Sequence, residues 1–316
     1  MISVETTASR VAEVRKRESL VRISPGNLAR RKMGQRIAFG LVWLAGIVAV
    51  AILFYLIGDV FVRGVRVIDV EFLTTRPAGG VSGEGGMSTM IVTTVYLVVL
   101  VIAIAGPLGV GAAVYLVEYA SEAERESALV RWLVRVARAC IEILAGVPSI
   151  IFGLFGFALF VSFMKLKFSL LSAGLSGACL VLPVITRTSE EALLAVPRAY
   201  REGSLTLGAT KWQTITKVIL PAAAPGIVTG IVLSVGRVVA ETAIFWVTLG
   251  GSYRLPTSIL SAGRTMALHV YALATETRAF DKAMGTAAVL IVIIIFINLV
   301  INYTSRTLSE RAMGRK

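Results

Sequence analysis

The chain has 316 residues, 56% of them hydrophobic, with a formal net charge of +13, two cysteines and one histidine. Several apolar runs exceed the roughly 18 residues that cross a bilayer, which excludes a soluble domain. The basic residues stand at the ends of those runs, as the positive-inside rule places them, so the charge speaks for membrane topology and against nucleic acid.

Residues 1–36 carry Arg15, Lys16, Arg17, Arg30, Arg31, Lys32 and Arg36 and read as a basic cytoplasmic tail that can lie on anionic headgroups. The apolar run after it is a full span rather than a short h-region, which argues against a signal peptide. That first span occupies 37–60. Residues 61–87 form an external loop, flexible where Gly79, Gly80, Gly83, Gly85 and Gly86 cluster. The second span runs from Met90 to about Val117, with a kink predicted at Gly106-Pro107.

From Glu118 to Arg138 the chain is polar, and Arg131, Arg135 and Arg138 recur as one helical stripe. An interfacial helix and a solvated charged helix both fit. The third span, Ala139 to Phe163, holds Val147-Pro148-Ser149, where proline bends a helix or opens its backbone. Lys165 and Lys167 mark a short external turn, and a fourth span follows from Phe168 to about Thr186.

Residues 187–221 form a polar island. Pro197 is suited to open a helix and Gly208 to end it in the left-handed conformation. Thr210 and Gln213 have the spacing of a capping box, so a second helix begins there and runs to Leu220. After Pro221 a fifth span reaches about Gly250, a polar external loop covers 251–282, and a sixth span runs from Ala283 to Tyr303 before the tail at 304–316. Six spans put both termini, residues 118–138 and residues 187–221 in the cytoplasm.

A charge inside a span costs about 2.5–3.5 kcal/mol on the insertion scale, so it requires a reason. The fifth span has Arg237 and Glu241, one turn apart and able to pair. Gly226, Gly230, Ser234 and Arg237 are expected to share one helix face. Either Arg237 offers an anion its planar fork of N–H donors, with Glu241 holding it in the anion's absence, or the two are a buried pair that fixes packing. Arg187, at the end of the fourth span, is a weaker candidate with a snorkelling anchor as its alternative.

Cys140 and Cys179 read as packed core residues, and His269 stands in the polar loop without metal-ligand neighbours. There is no G-x-x-x-x-G-K-[ST] loop and no nucleophile beside a base, so a transporter of this kind takes its energy from a gradient or a partner. A gradient-driven carrier would show two repeated halves, and none is visible.

The run Glu202-Gly203-Ser204, Gly208 and Val218-Ile219-Leu220-Pro221 resembles the EAA motif of ABC importer permeases, with glycine at 203 where that family has alanine. Leu144 to Gly156, Arg201 to Ile215 and Gly236 to Ala243 are similar to the phosphate-specific permeases. Gly263 to Glu276 is similar to their PstA-type subunit, although the family often has proline where Ile244 stands. The resemblance covers roughly residues 88–303.

What it implies is an all-α integral membrane protein of six transmembrane helices with the type I (MetI-like) importer permease fold, in the cytoplasmic membrane. It implies a non-catalytic subunit of an ATP-driven phosphate importer, with no cofactor of its own because ATP and Mg are bound by a partner. The implied partners are a PstC-type permease, a PstB-type ATPase dimer and an external PstS-type phosphate-binding protein. Arg237, Glu241 and Arg187 would line the substrate path, and Arg201, Glu202, Gly203, Ser204, Leu207 and Gly208 would couple it to the ATPase. A permease for another oxyanion, or a membrane signalling scaffold without transport, are the competing expectations.

Overall fold

The computed structural model describes residues 25–79, 84–120, 127–277 and 279–312. The basic tail up to residue 24, glycines 80 and 83, the acidic stretch 121–126 and residues 313–316 lie outside the described residues. The chain forms two units, Met1–Asp59 and Val60–Lys316. The described part of the first is the body of helix α1 (Pro25–Gly64), apolar on all sides, with Trp43, Leu44, Phe54 and Tyr55 exposed. A helix hydrophobic all round belongs in lipid or among other membrane helices.

In the second unit, a short α2 (Val70–Thr74) is capped by Asp69, whose Oδ1 accepts from the Phe72 N–H at 2.6 Å. A two-stranded antiparallel hairpin follows, β1 (Pro77–Gly79) and β2 (Glu84–Gly85). Helix α3 (Ser88–Val114) runs on through Pro107 and ends in a π-helical turn, Tyr115–Tyr119. Then come α4 (Ala128–Gly146), α5 (Ser149–Gly156, prolonged by a π-helical stretch Phe157–Phe163) and α6 (Leu170–Leu194). Next are α7 (Arg198–Thr206), α8 (Lys211–Thr214), a π-helical turn Ile215–Ile219, and α9 (Leu220–Ala240). The last three helices are α10 (Ala243–Thr248), α11 (Met266–Glu276) and α12 (Phe280–Ala312).

Among the described residues five helical runs are long and apolar enough to cross a membrane, and α4 with α5, which meet at 107°, make a sixth, bent span if the pair is taken together. Val147 and Pro148 are extended there, because proline cannot continue the hydrogen-bond ladder of α4. The expected third span from Ala139 is thereby divided. Its first residues belong to the amphipathic α4, and Ser149–Phe163 form α5 and its π-helical extension. Cys140, expected in the core, is exposed on α4. Lys165 and Lys167 at φ +56° and +58° make the tight turn between α5 and α6.

The helices pack round one central core that includes Leu97, Val101, Phe152, Val181, Ile185, Val238 and Phe245. A second cluster, with Val114, Leu193, Ile215 and Ile219, closes the end of the bundle nearest Arg201. At the opposite end Phe72, Met87, Met90 and Met266 pack together. The polar loop expected over 251–282 is in fact partly helix. Thr265 caps α11, whose Met266, Leu268, Ala272 and Leu273 are buried. His269 is buried with them beside the Tyr253 ring, and desolvation, then Arg264 and Lys282, lowers its pKa to about 4.

Candidate functional site

The polar island folds into two parts with different surroundings. Residues 187–194 simply continue α6, so the island proper begins at Ala195. Pro197 is the cap of α7, one residue before its first helical turn, and Gly208 takes φ +83°, which only glycine adopts without strain. The capping box forms: Gln213 N donates to Thr210 Oγ1 at 3.3 Å and Thr210 N donates to Gln213 Oε1 at 2.9 Å. The helix it opens does not stop at Leu220. The π-helical turn Ile215–Ile219, where Leu220 N reaches back five residues to Ile215, precedes Pro221, and the helix continues to Ala240.

The outward side of this segment presents several large apolar side chains among charged and polar ones. Leu207 is 90% exposed and Trp212 63%, with Tyr200 and Leu205 beside them, and Glu202, Gly203 and Gly208 are exposed as well. A Cβ added at Gly203 would meet open space. The inward face is polar and fully engaged. Arg201 donates from Nε and Nη2 to Glu118 at 2.7–3.3 Å, from Nη1 to the Val196 carbonyl at 2.8 Å and from Nη2 to the Leu193 carbonyl at 2.9 Å. Ser204 Oγ and Thr214 Oγ1 stand 2.9 Å apart, which ties α7 to α8. Lys211 lies over the Tyr119 ring at 4.6 Å. Of the six residues expected here, Arg201 and Ser204 thus face the bundle and the other four include the exposed Glu202, Gly203, Leu207 and Gly208.

Toward the other end, the expected fifth span is interrupted. Glu241 adopts an extended conformation that ends α9, and its carboxylate turns to the next helix. Oε1 accepts from Ala243 N at 3.1 Å and Ile244 N at 3.4 Å, satisfying amides that would otherwise lack partners at the start of α10. Among the described residues no ion pair joins it to Arg237. Gly230 and Ser234 are buried, Gly230 so close to Thr188 of α6 that an added Cβ would collide with that side chain. Arg237 does not share their burial, because the core at its level is filled by Val235, Val238 and Val239. It joins an exposed stripe formed by Pro225, Thr229, Leu233, Arg237 and Ala240. Its guanidinium makes no hydrogen bond or ion pair among the described residues.

A second interruption lies close by. Gly153 of α5 packs within van der Waals contact of Ile244 and Val247 of α10, so the break at Pro148 and the break at Glu241 are each about one helical turn from the same contact. Arg187 is elsewhere. Nε holds Glu191 at 3.0 Å and Nη1 approaches Glu190 at 3.7 Å. With Thr188 level with Gly230, Arg187 stands about 10 Å from Arg237 along the helix axes.

Three engaged residues escaped the reading from sequence. Glu118 closes the apolar run of α3, and its side chain is only 8% exposed. Glu190 is similarly buried and is shared by Arg187 and by Arg138 Nε at 3.3 Å. Arg138 also donates to the Leu116 carbonyl at 3.4 Å, which gives one member of the arginine stripe a protein partner. An acidic residue at the end of a long apolar run was the available signal for Glu118.

The family model described as binding-protein-dependent transport system inner membrane component matches residues 105–313. The probable ABC transporter permease protein YqgI of Bacillus subtilis is 30% identical, covering 85% of this chain and 94% of that protein. The phosphate transport system permease protein PstA 1 of Mycobacterium tuberculosis (strain ATCC 25618 / H37Rv) is 34% identical, covering 85% of this chain and 87% of its own length. In fold the chain is similar to one in the crystal structure of a bacterial alginate ABC transporter in complex with a pentasaccharide-bound periplasmic protein. The TM-score is 0.59 and the identity 14%, over 87% of this chain and 98% of the other.

Proposed function

The chain belongs to the family of binding-protein-dependent transport system inner membrane components, and from that premise we propose that it is a permease subunit of an ATP-driven importer of inorganic phosphate. The substrate rests on its PstA relatives. The observation that carries the mechanism is Arg237, a permanent charge on an otherwise uncharged helix stripe beside two interrupted helices, without a partner among the described residues. Discontinuous helices near the middle of a bilayer are where transporters build substrate sites, and a guanidinium there cannot shed its charge to escape the apolar surroundings. A second permease facing this stripe encloses a path, and an oxyanion on that path meets a fork of N–H donors. Arg187 is a second contact nearer the Arg201 end, with Glu190 and Glu191 holding it when the path is empty.

The Arg201 end is cytoplasmic, as are both termini. Tyr200, Leu205, Leu207 and Trp212 form an apolar projection that seats in a cleft of a partner ATPase, in the manner of a helix in a groove. ATP and Mg belong to that partner, and this chain performs no chemistry. Closure of the ATPase dimer displaces α7, tilts α6 and α9, and opens the path outward. An external binding protein then delivers phosphate, and hydrolysis returns the gate. The test is reconstitution in proteoliposomes with a PstC-type permease, a PstB-type ATPase and the phosphate-binding protein. Labelled phosphate accumulates only with ATP and all four components; accumulation without the ATPase, or of a competing oxyanion in preference to phosphate, overturns the reading.

A further inference from the structure

Arg201 belongs to the segment assigned to the ATPase, yet its side chain points away from that face. Its side chain is 21% exposed and meets the Leu193 carbonyl in the last turn of α6, the Val196 carbonyl in the link between α6 and α7, and Glu118 in the turn that ends α3. The Leu193 carbonyl already accepts from Val196 N at 3.3 Å, and the arginine adds a charged donor to it and to the Val196 carbonyl, fixing the link between α6 and α7. The bond to Glu118 has a different character. A buried ion pair is about neutral in stability against an apolar pair of the same shape, so folding alone gives no reason for it. What it provides is fixed geometry, because the planar fork holds a carboxylate in one orientation.

The consequence depends on where α3 leads. With its π-helical turn the helix runs unbroken from Ser88 to Tyr119, 32 residues, or about 48 Å of rise. Its far end is hydrogen-bonded to the segment after α10: Thr89 Oγ1 donates to the Tyr253 carbonyl at 3.0 Å, and Met266 N donates to Thr94 Oγ1 at 3.0 Å. The same segment is fastened by Arg264, whose Nε donates to the Gly251 carbonyl at 2.9 Å while its guanidinium lies 4.2 Å over the Tyr253 ring. Thus a single helix is gripped at one end by α7 and grips residues 253–266 at the other.

We infer that the Arg201–Glu118 pair is the link through which movement of α7 is delivered to α3, and that α3 carries it across the membrane to residues 253–266 at the outer mouth. Both are positioning residues: neither touches phosphate or the ATPase. The route is separate from the tilting of α6 and α9. It rests on the ATPase-driven reading given above, though not on the identity of the substrate.

The test uses the assembled four-component transporter in proteoliposomes, with Cys140→Ala and Cys179→Ala as background and a fluorophore on Arg254→Cys, an exposed position of the outer segment. In the parent, ATP changes the fluorescence. In Glu118→Gln and in Arg201→Met the ATPase is expected to stay bound in parental amount, while the ATP-dependent signal disappears and phosphate moved per ATP falls about tenfold. An unchanged signal in both variants overturns the inference. So does loss of the ATPase, since Arg201 would then be a docking contact. Should either variant fail to accumulate, Glu118→Cys with Arg201→Cys is joined by a flexible bifunctional thiol reagent. The signal returns only in the joined form; any other result overturns the link. Because the fluorophore answers to ATP alone, a transporter that carries another oxyanion fails the uptake assay and still passes this one.

Discussion

Arg201 and Arg237 are the same residue in opposite circumstances. Around Arg201, Glu118 and two backbone carbonyls occupy the donors of the guanidinium, and each partner belongs to this chain. Around Arg237 the chain supplies an exposed, otherwise uncharged stripe, and the carboxylate one turn away is spent on the amides of α10. A charge satisfied from within holds helices in place. A charge left open in an apolar belt is tolerated only where a ligand, water or another subunit answers it. On the function proposed above, the difference separates an end that transmits movement from a part that meets substrate.

The largest effect is expected from Arg237→Gln, which keeps the shape and removes the charge. Charge-assisted hydrogen bonds are worth about 1.5–3 kcal/mol each, so uptake falls about a hundredfold with the complex still assembled. Arg237→Lys keeps the charge without the fork and loses about tenfold, since lysine cannot hold an oxyanion through two parallel bonds. Parental uptake by an assembled Arg237→Gln transporter would erase the contrast with Arg201. A smaller effect is expected at the other region. Trp212→Ala trims an exposed anchor without touching the Arg201 bonds, and ATPase affinity drops about thirtyfold, the weight of a 2 kcal/mol contact residue. Titration of detergent-purified permeases with ATPase measures it, and an unaltered affinity would remove Trp212 from the docking face.

Local chemistry made the first region readable from sequence. Thr210 with Gln213 and the left-handed Gly208 act over a few residues, and both form as expected. The second region depended on contacts the sequence does not display. A carboxylate four residues after an arginine suggests a helical pair, but Glu241 found closer donors in the amides of α10, and the helix ended there. Gly230 and Arg237, seven residues apart on one helix, do project from nearly the same side, but their burial differs, because the valines at 235, 238 and 239 hold the core positions at the level of Arg237. The break at Pro148 was foreseen as a bend or an opening, whereas its angle follows from how α4 and α5 pack. Glu118 went unnoticed because its partner lies 83 residues away.

The smallest effect tests whether the two regions are mechanically independent at rest, because the capping box beside the Arg201 region opens the same helical run, Lys211–Ala240, that carries Arg237. Thr210→Ala deletes the hydroxyl that accepts from Gln213 N and leaves the reverse bond from Thr210 N in place. Loss of an N-cap costs about 1 kcal/mol of helix stability, confined to the first turn. Ser204 and Thr214 remain bonded, and the Arg201 contacts lie on the other side of Gly208. Hydrogen exchange at residues 211–214 is therefore expected to quicken about fivefold, the population change that 1 kcal/mol produces, with residues 234–240 unaffected and uptake within about twofold of the parent. Faster exchange around Arg237 in the same variant would show that the cap at one end governs the substrate stripe more than twenty residues on, about 35 Å along the helix. The π-helical turn between them would then transmit loosening rather than absorb it.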